Sequence, residues 1–109
     1  MDIQLLELKI SLKELIKNLI FRVDDVCQNI KNNEEERLKF WLEDLSMLTE
    51  VTIILSQRNI VDFDMDLFNE KVELLLEKIG SQDFLFVEEI LQFEIKPLLV
   101  YWDGCIAND

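Results

Sequence analysis

The side chains best able to do chemistry here are carboxylates and two cysteines, because the chain contains no histidine. Without an imidazole there is no Ser-His or Cys-His pair to activate a nucleophile, and no ordinary general base near neutral pH. The Glu-x-x-His ligands that di-iron bundles project into their cores are missing for the same reason. Cys27 and Cys105 alone cannot complete a zinc site. Gly80 and Gly104, the only two glycines, cannot build a phosphate-binding loop. The densest acidic groups are Asp62-x-Asp64-x-Asp66 and Glu88-Glu89 with Gln92. The aspartate triplet has the spacing that opens a calcium loop, and Glu73 falls where the closing acid would stand. However, Leu67 occupies the position that needs glycine, and the segment from residue 66 onward reads as helix. No cofactor, no metal and no catalytic residue are expected, and the reading is that of a non-enzyme. Glu94 is the one carboxylate set near a core-facing row, beside Phe93 and Ile95. It could accept a hydrogen bond from Tyr101 or from backbone freed by Pro97, meet a partner, or simply reach solvent at the core boundary.

The elements that hold these residues are helical. One proline and two glycines in 109 residues leave too few turn formers for a β fold. Half of the residues are hydrophobic, so the chain can fill the core of one domain, residues 1–109. Leu5, Leu8, Leu12, Leu15, Leu19, Val23, Val26 and Ile30 recur at three- and four-residue steps, which is one face of a helix over about 3–31. Partial alternation between Ile3 and Leu12 leaves a short strand open there. Asn32-Asn33 breaks the pattern, and Glu34, Glu35 and Glu36 suit the positive end of a helix over about 34–57. That helix carries Leu38, Trp41, Leu42, Leu45, Leu48, Thr52 and Leu55. Residues 58–65 form an apolar connection that plugs one end of the bundle. A third helix over about 65–79 starts at Asp64 or Asp66 and stops at Gly80 in the usual C′ role. A fourth over about 82–103 starts at Ser81, carries Phe84, Val87, Leu91, Ile95, Leu98 and Trp102, and is kinked or split by Pro97. Gly104 closes it, and the last five residues fray. Four amphipathic segments with short connections predict an all-α, antiparallel, up-down-up-down four-helix bundle. Trp41, Phe68, Phe84 and Trp102 are its expected anchors.

The stretch from Asp83 to Trp102 resembles a pattern in an uncharacterised family of small, acidic, all-helical bacterial proteins. Its marked positions are Phe93, Glu94, Pro97, Leu98, Leu99 and Trp102. The resemblance covers about twenty residues of the fourth helix; it implies a helical fold and a special role for the proline-bearing helix, with no activity attached.

The formal net charge is −12. Residues 1–31 hold five acids and five bases, so residues 32–109 carry all of it. Such a balance disfavours nucleic acid and anionic membranes as partners. It fits either a solubilising surface or a basic partner. No apolar run is long enough for a membrane span and no signal peptide precedes the first helix, so the expected compartment is the cytoplasm. Cys27 reads as a small core residue and Cys105 as a free thiol in the tail. Phe40, Ile53, Ile54, Phe63, Phe86 and Phe93 do not all fit one narrow core stripe. With Glu94 they are the candidate contacts of a protein–protein interaction module, a small adaptor, regulator or chaperone-like bundle. The same surplus would suit a homodimer or other homo-oligomeric bundle, and the charge would suit an acidic inhibitor or immunity-type protein on a basic surface.

Overall fold

A computed structural model describes residues 2–106 of the chain. The fold is all-α, and no strand occurs among the described residues. Helix α1 spans Ile3–Lys31 and begins at Asp2, whose carboxylate accepts from the Gln4 N–H at 2.8 Å. The stretch that left a strand open is therefore helix from its first turn. Leu12, Leu19, Val23, Val26 and Ile30 of the expected row are buried, with Ile16 and Cys27 beside them, while Leu5, Leu8 and Leu15 are half-buried. Helix α2 spans Glu36–Gln57 and helix α3 spans Met65–Gly80. Glu34 and Glu35 fall outside α2, so Glu36 alone meets its dipole; Glu35 takes the cap position without a side-chain bond. Asp64 caps α3 through the Leu67 N–H at 3.0 Å.

These three helices end in one way. Asn33, Asn59 and Gln82 adopt φ of 62°, 58° and 59°. Each N–H returns three residues, to Ile30, Ser56 and Ile79 respectively. The following N–H groups, of Glu34, Ile60 and Asp83, reach back five residues to Asn29, Leu55 and Lys78. That is the Schellman arrangement, which satisfies the last carbonyls of a helix. Gly80 does not take the expected C′ role. It lies inside α3, and Gln82 adopts the left-handed turn instead. Asp83, not Ser81, then caps the next helix by accepting from Phe86 N–H.

The fourth helical segment has three parts: α4 over Phe84–Ile90, a π turn over Leu91–Ile95, and α5 over Lys96–Cys105. The Lys96 N–H reaches Leu91 O, one residue further back than in an α-helix. Pro97 therefore sits in the first turn of α5, where its missing N–H costs little. The irregularity expected at Pro97 is this π turn just before it. The turn also corrects a mismatch. In an uninterrupted α-helix, the row Ile95, Leu99, Trp102 would lie about 90° around the axis from the row Val87, Ile90, Leu91. One extra residue in the turn takes up about that rotation, and all six side chains are buried. Helix α5 runs through Gly104 to Cys105, and Ile106 is buried rather than frayed. The rest of the expected frayed tail lies outside the described residues.

Neighbouring helices are cross-linked in opposite chain order. Asp25 meets Arg37 while Arg22 meets Asp44. Lys31 meets Glu88, Asp24 meets Lys96, and Lys13 meets Asp103. Lys78 lies over Phe86 while Lys71 meets Glu94. α1 is thus antiparallel to α2 and to α4–α5, and α3 is antiparallel to α4. Close backbone approach joins α2 to α1 and α3 to α4 and the π turn, and α1 also packs along α4–α5. The remaining seam, between α2 and α3, is the loose one. Trp41, Phe68 and Trp102 are fully buried anchors, while Phe84 is half-buried. The Trp41 indole N–H donates to Leu19 O at 3.0 Å. Thr52 is the one buried polar residue among those described, and its hydroxyl is satisfied by Leu48 O at 2.7 Å. Val61 is buried and Phe63 stacks on Trp102, so the 58–64 connection does seal one end.

Candidate functional site: uncovered apolar surface

The loose seam has chemical content. At the end away from the 58–64 connection, a groove of about 690 Å³ opens between α2 and the last turn of α3. Leu38, Leu42 and Ile79 make its apolar lining; Glu35, Glu36, Glu43, Lys39 and Ser46 surround them. Leu76, three residues before Ile79, is half exposed. Lys71 and Lys78 mark the α4-facing side of α3, so Leu76 stands on the side turned toward α2.

Elsewhere the helices carry large apolar side chains that nothing covers. On α2, Phe40, Met47 and Ile54 are exposed and recur every seven residues, which is about two turns and one face. Ile53 is also exposed. Phe40 borders a smaller cleft with Arg22, Asp25, Val26 and Arg37. On the fourth segment Leu85, Phe86, Phe93, Val100 and Tyr101 are exposed, Phe93 at 74% and Leu85 at 72%. Phe21 on α1 is 80% exposed.

Of the residues singled out in the sequence, Phe40, Ile53 and Ile54 share α2, and Phe86 and Phe93 share the fourth segment; no single patch unites the two sets. Phe63 belongs to neither, because it is half-buried against Trp102. Glu94 is paired with Lys71 on α3 rather than with Tyr101 or freed backbone, and about half of its side chain remains exposed. Sequence reasoning passed over Phe21, Met47, Leu76 and Leu85. Met47 and Ile54 share a seven-residue register with Phe40, which is a signal the sequence does contain. Leu76 carries no such signal, since only the spacing of α2 from α3 leaves it open.

Two of the acids in the dense groups take structural roles. Asp64 is a helix cap, and Glu88 pairs with Lys31. Asp24 accepts from Gln92 at 2.8 Å and lies 3.6 Å from Lys96; the amide bond first, then the cation, hold its carboxyl below the usual range. No group of three or more acidic or cysteine side chains converges as a metal site among the described residues. Burial pushes the Cys27 thiol up, so it stays protonated at neutral pH. Cys105 is exposed, and its hydrogen bond with Tyr101 raises the phenol. No described helix is long and apolar enough to cross a membrane. Compared with known proteins, the chain matches no protein-family model, no curated protein and no solved structure.

Proposed function

We propose that this protein is a non-enzymatic protein–protein interaction module, a small adaptor, regulator or chaperone-like bundle. One observation carries the reading: large apolar side chains stay uncovered on well-formed helices while the interior is already filled. Phe21, Phe93, Ile3 and Leu85 are the extreme cases. Single exposed hydrophobics are ordinary, but rows of them along one helix face mark interaction surfaces. The row Phe40, Met47, Ile54 has the geometry an apolar partner surface needs. The test is recovery of the tagged protein from lysate of its native source at low and high salt. The reading expects one stoichiometric partner that survives high salt and is lost from a Phe40→Ser/Met47→Ser/Ile54→Ser variant. A monomer that holds no partner at any salt would sink it.

A homo-oligomeric bundle is the second reading, and the seven-residue row on α2 favours it specifically, because such a row can pair with its own copy about a twofold axis. Light scattering decides between the two. A dimer that dissociates in the same triple variant supports self-association; a concentrated monomer removes it.

A further inference from the structure

We propose that the groove between α2 and α3 is a docking site for a basic amphipathic helix of another protein. The inference rests on the interaction-module reading and names the partner's chemistry. The floor of the groove is apolar, with Leu38 and Leu42 from one wall and Ile79 from the other. Leu76 extends the α3 wall along the seam. A helix laid in such a channel buries an i, i+3, i+4, i+7 row. The seam has room for it because α2 and α3, unlike the other neighbours in the bundle, do not close on each other.

Charge selects among occupants. The rim presents Glu35, Glu36 and Glu43 against the single ammonium of Lys39. The 32–109 part of the chain carries the entire −12. A second copy docked groove to groove about a twofold axis would set acid against acid, and like charges across an interface are costly. Lysines or arginines flanking an apolar row would instead meet carboxylates on exposed rims, which steers encounter and gives a salt-dependent on-rate. The described chain offers no occupant of its own, since residues 2–106 are placed in the bundle and its connections.

The probe is a synthetic peptide with leucines at i, i+3, i+4 and i+7 and lysines on both flanks. Two controls keep the interpretation narrow: the same leucine row with glutamate flanks, and a scrambled lysine–leucine peptide of identical composition. Calorimetry is expected to show the lysine-flanked helix binding at least about tenfold more tightly than either control, and less tightly as salt rises. Backbone amide shifts should fall on the first half of α2 and the last turn of α3. The E35K/E36K/E43K variant changes only exposed side chains, and circular dichroism verifies its fold. It should lose the lysine-flanked peptide and gain the glutamate-flanked one. Equal binding of the scrambled peptide, indifference to the charge reversal, or no binding by any peptide overturns the proposal. Shifts centred on Phe86 and Phe93 also overturn it while leaving the interaction-module reading intact. That reading falls only if the lysate experiment finds no partner.

Discussion

The Phe63 ring lies nearly parallel on Trp102, with centroids 4.3 Å apart and planes 10° apart. Phe68 meets the same indole at 4.9 Å and a tilt of 46°. Trp102 is thereby held between the 58–64 connection and α3 at the sealed end of the bundle. Phe63→Ala removes one of these rings and should cost about 2 kcal/mol, below the ~3–5 kcal/mol of a fully buried phenylalanine because Phe63 is only half-buried. Urea unfolding followed by tryptophan fluorescence measures it. A loss under about 0.5 kcal/mol would mean that the connection does not seal the core.

Lys13 closes the end of α5 from the side. Its ammonium donates to Asp103 O at 2.9 Å and Ile106 O at 3.2 Å, and lies 3.4 Å from the Asp103 carboxylate. The last carbonyls of a helix have no partner within it, and a cation there complements the dipole. Lys13→Met keeps the aliphatic stem and removes these bonds. It should cost about 1–3 kcal/mol in chemical denaturation and speed amide exchange in the last turn of α5 before any other.

Gln82 stands at φ 59°, a region glutamine enters only with strain. Gln82→Gly relieves the Cβ clash and keeps both Schellman bonds, at the expense of some chain entropy. The net expectation is a gain of about 0.5–1 kcal/mol in unfolding free energy. Asn59→Gly should gain less, because asparagine tolerates the left-handed region better. A destabilised Gln82→Gly protein would show that the Gln82 side chain has a role beyond the turn.

Asp24 links stability to acid. Its folded carboxyl is held below the ordinary value of about 3.9, so the unfolded chain takes up the proton first. Its contribution is complete above the unfolded value and is lost as pH falls through the folded one. Gln92→Leu removes the largest cause. In a carbon-detected titration, Asp24 should then move up toward the ordinary range while the acid limb of the stability profile becomes shallower. An unmoved Asp24 would assign its shift to Lys96 alone.

Much of the fold is legible in the sequence because the core rows are regular. Most positions that three- and four-residue steps mark between Leu12 and Ile30 and between Leu38 and Leu55 are buried, with Leu15 and Leu42 half-buried. Asn33 and Asn59 mark their turns by residue type, whereas Gln82 does not, and Gly80 drew the left-handed turn after α3 two residues early. Pro97 announces an irregular helix without saying which backbone bonds absorb it. The rotation between the Val87 and Ile95 rows is the pattern that encodes the π turn, and it becomes visible only once both rows are known to face one core. Partner-facing residues are the least legible. Phe63 and Phe93 are the same residue type, yet one is covered by Trp102 and the other is bare, and that difference depends on how far apart helices settle.

α2 and α3 each close against one helical neighbour, α2 against α1 and α3 against the fourth segment, whereas α1 touches α2, α4, the π turn and α5. Cohesion in this molecule is therefore ranked rather than shared. A fluctuation that lifts α2 or α3 breaks one set of backbone approaches, while lifting α1 breaks those to both α2 and the fourth segment. Exchange protection should follow that ranking, highest along Ile16–Ile30 and lower in α2 and α3, so the helices that open most readily are the two walls of the groove.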